Sequence, residues 1–124
     1  MAKYEACRKR GALVGYMPLQ GDIIIINVDP RKGSEQKGSR PGVIVSNHEY
    51  HRKTNNLALV CPITNTVSNF PMHVALNEET TTKGEIMCEQ ITCIDFKAHN
   101  AEFVESLPDD IMDNIIDLIC ACIE

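Results

Sequence analysis

Apolar residues along this chain fall into short runs separated by polar stretches, a pattern typical of a protein built mainly from strands. The segment GDIIIINVDP, residues 21–30, predicts a first strand that is buried on both faces and ends at Asp29-Pro30. Later runs have the same character. They predict strands over residues 41–46, 56–64, 71–77, 84–95 and 101–106.

Two segments show helical signals. SNHEYHRKT predicts a short helix, because Ser46 followed three residues later by Glu49 matches a capping box. Near the end of the chain, Ser106 can cap a second helix with Pro108 in its first turn. An apolar stripe at helical spacing follows, and the letters LICACIE favour a helix end that faces the core. The stripe consists of Ile111, Ile115, Leu118, Ile119 and Cys122.

This order of elements predicts a mainly β (α+β) fold. We expect a small, strongly bent antiparallel barrel of about five to seven strands, with short helices and a C-terminal α-helix that closes it. The 124 residues fit one domain, predicted over residues 19–124, after an N-terminal extension over 1–18. No run approaches the ~18 apolar residues of a membrane span, and the N-terminus lacks a signal-peptide core, so a cytoplasmic protein is expected.

The charge is distributed unevenly. The net charge is −5, but residues 1–60 hold ten Lys/Arg against five Asp/Glu, whereas residues 61–124 hold two against twelve. A basic half leaves nucleic-acid binding open despite the acidic total, and the acidic half is equally compatible with a solvated surface. The six cysteines are expected to be reduced thiols, and their spacing predicts neither a metal site nor a cofactor.

The stretch GSEQKGSRP, residues 33–41, carries several charges between two apolar strands. Its glycines have the spacing of a phosphate-binding loop, but Ser39 stands where that motif requires lysine, and Pro41 leads into a strand. We therefore exclude a nucleotide-binding loop.

Charged and hydroxyl side chains from this stretch and from PITNTVSN fit another reaction. RNA cleavage needs no cofactor, because the ribose 2′-OH is the nucleophile and the protein only moves protons and stabilises the charged phosphorane. A carboxylate, a guanidinium and a hydroxyl suffice for these roles. A solvated loop without catalytic function explains the same composition. The candidate residues are Glu35, Lys37, Arg40, Thr64, Thr66 and Ser68.

Several motifs in combination resemble the MazF/PemK (Kid) toxins of bacterial toxin–antitoxin systems. They are GDIIIINVDPRKGSEQKGSRPGVIVSN, CPITNTVSNFPMHV and GEIMCEQITCID, and the resemblance runs from about residue 21 to the C-terminal helix. It implies an SH3-like barrel that works as a homodimer. It also implies a metal-independent endoribonuclease that cuts single-stranded mRNA at short sequences, leaving a 2′,3′-cyclic phosphate and a 5′-hydroxyl.

The resemblance further implies partners and site residues. A MazE-type antitoxin would occupy the RNA groove, and DNA would be contacted only indirectly, through the antitoxin complex. By position, Arg40 and Thr64 match the catalytic residues of the family, and Glu35 matches the acidic residue of its loop. The RNA-binding residues would be Arg31, Lys32, Ser34, Gln36, Lys37, Asn47, Arg52, Lys53, Asn65, Thr66, Phe70, His73 and Gln90.

Two other functions stay open at this point. The first is a non-enzymatic toxin of the same fold class that binds DNA gyrase through the tip of its C-terminal helix. The core-facing helix end predicted above argues against it. The second is a barrel that binds RNA or another partner without cutting.

Overall fold

The computed structural model describes residues 16–27 and 39–124, which contain seven strands and two α-helices. Most of the predicted extension, residues 1–15, therefore lies outside the described residues. The mainly β fold with a short helix and a C-terminal helix is confirmed. The helices are α1, His48–Thr54, and α2, Asp109–Ile123. The strands are β1 Asp22–Asn27, β2 Ser39–Ile44, β3 Leu57–Thr64, β4 His73–Ala75, β5 Glu85–Met87, β6 Thr92–Asp95 and β7 Glu102–Ser106.

The strands form one antiparallel sheet in the order β4-β5-β3-β2-β1-β7, with β6 also paired to β3. Strand β3 changes partner along its length: residues 57–60 pair with β6, and Ile63 and Thr64 pair with β5. In the described part of the chain, β4 and β7 are not paired with each other, so these pairings leave the sheet unclosed.

The prediction of one long strand over residues 84–95 was wrong. The segment forms β5 and β6, separated by a 3-10 turn at Cys88–Gln90. The break follows from the pairing of β3, because the turn carries the chain from one half of that strand to the other. Cys88 donates its backbone N–H to the Met72 carbonyl, 3.1 Å away.

Two apolar cores lie on opposite faces of the sheet, and the isoleucines of β1 contribute to both. Ile23 is fully buried in the first core and Ile24 in the second, but Ile25 is 39% exposed. The prediction that β1 is buried on both faces is therefore wrong at Ile25. Helix α2 covers the first core. That core comprises Ile23, Val43, Val45, Cys61, Ile63, Ile86, Cys88, Leu107, Ile111, Met112 and Ile115. The second comprises Ile24, Ile44, Ala58, Val60, Ile94, Phe96 and Ala101.

Both predicted helix caps were displaced by one or two residues. Asn47, not Ser46, caps α1, and its Oδ1 accepts a hydrogen bond from the Tyr50 N–H at 3.0 Å. Helix α2 starts after Pro108, without a side-chain cap from Ser106. Ser46 is buried and hydrogen-bonded to His51 instead, so its hydroxyl holds α1 against β3 rather than capping the helix.

The C-terminal end of α2 also differs from the prediction. Ile111 and Ile115 are buried and Leu118 and Ile119 are half-buried, but Cys122 is exposed. The last turn leaves the sheet, and Ile123 is 77% exposed. The helix end therefore does not face the core. Among the described residues, neither helix is long and apolar enough to cross a membrane.

Candidate active site

Arg40 and Thr64 lie at the same end of the sheet. Arg40 is the second residue of β2 and is exposed, whereas Thr64 is the last residue of β3 and is half-buried. In the antiparallel β2–β3 pair, Gly42 lies opposite Pro62 and Val43 opposite Cys61. Continuing this register by two residues sets Arg40 opposite Thr64. Residues in that relation have neighbouring side chains on one face of a sheet.

The same face continues onto β5 and β4. Thr64 lies opposite Glu85, and Glu85 lies opposite Ala75 of β4, two residues after His73. Because alternate residues of a strand share a face, Arg40, Thr64, Glu85 and His73 belong to one side of the sheet. We call this side the polar face. The opposite side at the same level carries Ile63 and Ile86 of the first core, beneath α2.

The hydroxyl of Thr64 is oriented by its own loop. Thr64 Oγ1 accepts a hydrogen bond from the Thr66 N–H at 3.2 Å. Since this bond uses a lone pair, the hydroxyl proton remains available to donate to a ligand on the polar face.

A second group on the polar face is an ionic cluster. His73 Nδ1 lies 2.9 Å from Glu85 Oε1, and His73 Nε2 lies 3.1 Å from Glu89 Oε2. The side chains of His73 and Glu85 are 10% and 5% exposed, and that of Glu89 is 30% exposed. Of these three residues, only His73 was predicted from the sequence as a site residue. Glu85 was missed because its neighbours depend on the pairing of β3, β4 and β5, which the sequence pattern does not specify.

The cluster shifts the proton affinities of its members in opposite directions. The hydrogen bond to Glu85, assisted by Glu89, raises the pKa of His73 against the opposing effect of burial. The same bond to His73 lowers the pKa of Glu85, and backbone N–H groups of Ser68 and Asn69 add to this effect. Both shifts favour the charged forms, an imidazolium beside a carboxylate.

The segment 65–72 joins Thr64 to His73 at the edge of the polar face. Asn65 and Thr66 are exposed, and the Phe70 ring is 47% exposed. The Phe70 ring meets the His73 ring edge-on, with centroids 5.2 Å apart. Phe70 is therefore a surface side chain with an accessible aromatic face, as stacking on an unpaired base requires.

The structure places the other predicted RNA-binding residues elsewhere or leaves them undescribed. Gln90 is exposed in the 3-10 turn beside Glu89. Asn47 caps α1, and Arg52 and Lys53 belong to it. This helix follows the opposite end of β2, roughly 13 Å along the strand from Arg40. The residues outside the described range are Arg31, Lys32, Ser34, Glu35, Gln36 and Lys37.

The basic charges of α1 are partly compensated within the helix. Arg52 Nη2 lies 2.7 Å from Glu49 Oε2, and Lys53 Nζ lies 3.9 Å from Glu49 Oε1. These exposed pairs contribute little to stability but reduce the local positive field. The structure thus brings Arg40, Thr64, Phe70 and His73 to one end of the sheet and places α1 at the other.

The thiols form no metal site in the part of the chain that the structure describes. Cys61, Cys88, Cys93, Cys120 and Cys122 are all free, and no group of three or more potential ligands is close enough to hold an ion there.

Comparisons with known proteins identify the family of this chain. The family model described as PemK-like, MazF-like toxin of type II toxin–antitoxin systems matches residues 19–123. The endoribonuclease toxin MazF of Escherichia coli K12 is 36% identical over 86 residues, which cover 69% of this chain and 76% of the relative. The endoribonuclease PemK of Escherichia coli is 33% identical over 101 residues, covering 78% and 75% of the two chains.

A solved structure shows the same fold. The MazE–MazF crystal structure from Deinococcus radiodurans superposes with a TM-score of 0.77 at 23% identity, over 87% of this chain and 97% of the matched chain. At that identity the likeness concerns the fold alone. Together with the family match and the two Escherichia coli relatives, it confirms the resemblance found in the sequence. The chain belongs to the PemK-like, MazF-like toxin family of type II toxin–antitoxin systems.

Proposed function

We propose that this chain is a sequence-specific, metal-independent endoribonuclease toxin that cuts single-stranded mRNA. The observation that best supports the proposal is the β2–β3 register. Its pairs Gly42–Pro62 and Val43–Cys61, continued by two residues, would bring Arg40 opposite Thr64. Relatives named endoribonucleases support the reaction class.

Arg40 and Thr64 supply the electrostatic part of the reaction. The ribose 2′-OH attacks the adjacent phosphorus, the 5′-oxygen leaves, and the products carry a 2′,3′-cyclic phosphate and a 5′-hydroxyl. Arg40 binds the non-bridging oxygens as negative charge builds on the phosphorane, because a guanidinium matches two oxygens at once. The Thr64 hydroxyl donates one further hydrogen bond to the phosphate.

Proton transfer falls to Arg40 and Glu35, with Glu35 as the base or as the group that orients Arg40. Arg31, Lys32 and Lys37 would attract the phosphate backbone without reading its sequence, and Arg52 and Lys53 of α1 would add to this attraction from further along the sheet. An unstacked base of the single-stranded RNA would stack on the Phe70 ring.

The assembly and its regulation follow from the family. We propose that two copies form the working homodimer and that an antitoxin of the MazE type blocks the RNA groove. The MazE–MazF crystal structures from Deinococcus radiodurans support a partner of this type. Any contact with DNA would be made through that complex. The substrate, mRNA, places the activity in the cytoplasm.

The decisive experiment incubates the purified protein with a long single-stranded RNA in EDTA and maps both product ends. We expect cuts at a discrete short sequence, with cyclic phosphate on one end and hydroxyl on the other. Arg40→Ala should lower the rate by about 10²–10³-fold with the fold retained. The matched control is Lys97→Ala, which removes an exposed cation from the turn after β6. Full activity of Arg40→Ala would refute the assignment.

The exposed last turn of α2 favours a second candidate, a non-enzymatic toxin that binds DNA gyrase. Ile123 offers an apolar contact at the helix tip. A supercoiling assay with gyrase separates the two functions. Inhibition of supercoiling by a protein that leaves RNA intact would support this candidate, and Ile123→Lys should then abolish the inhibition.

A further inference from the structure

Both ring nitrogens of His73 face carboxylate oxygens. Nδ1 lies 2.9 Å from Glu85 Oε1, and Nε2 lies 3.1 Å from Glu89 Oε2. A carboxylate can only accept hydrogen bonds, and a neutral imidazole carries one N–H. The observed geometry therefore satisfies both contacts only when His73 carries a proton on each nitrogen.

The neighbours of His73 define its electrostatic environment. Glu85 comes from β5, Glu89 and the Cys88 thiol come from the 3-10 turn, and Ser68 comes from the segment 65–72. Among the described contacts, helix α2 is connected to His73 through the neighbouring residue Met72, whose sulfur contacts the Cys122 thiol. With both carboxylates ionised, the imidazolium leaves the cluster with one net negative charge.

This environment argues against His73 as a direct ligand for RNA phosphate. Its side chain is 10% exposed, and both of its N–H donors are already used. A phosphate would approach a cluster of net negative charge and find no remaining donor on the ring.

The cluster holds the segment 65–72 instead. Glu85 Oε1 accepts a hydrogen bond from the Ser68 N–H at 3.3 Å, and the Ser68 hydroxyl lies 3.3 Å from His73 Nδ1. The backbone N–H of His73 donates to the Phe70 carbonyl at 2.9 Å. The segment that begins at Thr64 is thus tied down beside Glu85, which lies opposite Thr64 in the sheet.

We infer that His73 is a positioning residue, an imidazolium held between Glu85 and Glu89 that fixes the 65–72 segment so that Phe70 can receive an RNA base beside Thr64. This inference rests on the proposed function. When His73 loses a proton, one of its two carboxylate contacts becomes a repulsion between acceptors. The segment then loosens, and RNA binding weakens as the pH rises.

The test measures binding separately from cleavage. An RNA oligonucleotide spanning a mapped cut site, with a 2′-deoxy sugar at the scissile position, binds without being cut. We expect His73→Gln to raise its Kd about tenfold at pH 6.5, on the scale of a lost charged hydrogen bond, and to change kcat less. The wild-type Kd should rise with pH toward the variant's value, while that of His73→Gln stays flat. The control is His48→Gln, an exposed histidine on α1.

Two further measurements do not depend on activity. Amide hydrogen exchange should show the Ser68 N–H protected in wild type and faster in His73→Gln. Nitrogen NMR of the unmodified chain should show His73 doubly protonated at pH 6.5, and this holds whether or not the variant folds. In Glu89→Gln the amide can donate to a neutral ring, so the rise of Kd at high pH should disappear.

The outcomes are distinct. A neutral His73 ring at pH 6.5, or an unchanged Kd and unchanged Ser68 exchange in His73→Gln, would overturn the inference. If wild type cuts no RNA, single-stranded oligonucleotides of random sequence replace the mapped site. Binding of these with the same His73 dependence would leave the positioning role standing while the nuclease proposal fails.

Discussion

Gly84 touches the backbone of Thr64 so closely that no other residue fits. A Cβ built at position 84 would lie 2.1 Å from the Thr64 carbonyl oxygen, and the φ angle of Gly84 is +123°. Both the space and the backbone conformation exclude a side chain. The residue before β5 thereby sets the position of the proposed catalytic hydroxyl.

Gly84→Ala should therefore displace Thr64 as well as strain the turn. We expect a loss of roughly 3 kcal/mol or more in the free energy of unfolding, because backbone strain and a clash add. RNA cleavage should fall in the fraction that remains folded. Urea denaturation and a cleavage assay at low temperature measure the two effects.

Gly21→Ala is the matched control for this change. Gly21 also has a positive φ, +92°, but a Cβ there would meet only Met112, at 3.8 Å. Gly21→Ala should therefore show the cost of strain without the clash, about 1–2 kcal/mol. Equal destabilisation in the two variants would contradict the role assigned to the Thr64 contact.

The Thr64 hydroxyl can be removed without changing the shape of the side chain. Thr64→Val deletes the donor and should lower kcat by about 10²–10³-fold with little change in KM, because the hydrogen bond strengthens in the transition state. Thr64→Ser keeps the donor and should retain most of the rate. Single-turnover cleavage of a mapped oligonucleotide distinguishes these variants, and a Thr64→Val protein as active as wild type would exclude Thr64 from the chemistry.

Glu105 holds the loop before β5 through four hydrogen bonds. Thr81 and Thr82 each donate a backbone N–H and a hydroxyl to its carboxylate, at 2.7–3.1 Å. Burial opposes ionisation, but these donors outweigh it and lower the pKa of Glu105 to about 2. A lowered pKa stabilises the fold above the ordinary pKa of a glutamate, and this contribution is lost as the pH falls from about 4.5 to 2.

Glu105→Gln should accordingly destabilise the protein by about 1–3 kcal/mol at pH 7, and less as the pH approaches 2. Urea denaturation at a series of pH values between 7 and 2.5 provides the measurement. Glu102→Gln, at an exposed position on the same strand, should follow wild type throughout. A constant difference between Glu105→Gln and wild type across this range would show that the charge is not responsible.

The thiols should differ in their reaction with iodoacetamide. Cys61 and Cys88 are buried, and the hydrogen bond to Cys88, together with burial, raises the pKa of Cys61. Cys93, Cys120 and Cys122 are exposed. Peptide mass analysis of the native protein should show rapid labelling of the exposed three, with Cys61 and Cys88 labelled only after unfolding. Rapid native labelling of Cys61 would contradict the packing of β3 against α2.

The sequence predicted most of the fold because the apolar runs have strand length and the final stripe has helical spacing. The break between β5 and β6 was not predicted, because the residues of both strands are largely apolar. The two strands are separate because β3 pairs with β6 over residues 57–60 and with β5 at Ile63 and Thr64. Ser46 and Asn47 are both good helix caps. Asn47 caps α1 because the Ser46 hydroxyl is hydrogen-bonded to His51 in the interior.

Only part of the candidate site could be predicted from the sequence. Arg40 and Thr64 came from motifs, and their common face is consistent with the register of β2 and β3. The local sequence does not mark Glu85, because its importance arises from a histidine twelve residues earlier and from a strand that ends 21 residues earlier. Such relationships are tertiary, and alternation within one strand cannot reveal them.

The pairing of β1 with β7 also constrains the order in which the chain can fold. Asp22 of β1 is opposite Ser106 of β7. Strand β1 can therefore pair with β7 only after 84 further residues have been synthesised. The strands that carry the polar face all precede residue 90, yet the core behind them stays uncovered until Ile111 and Ile115 arrive. Long-range pairing of this kind folds slowly, in milliseconds to seconds. During synthesis, a chain with this topology can complete its core only after α2 has been made.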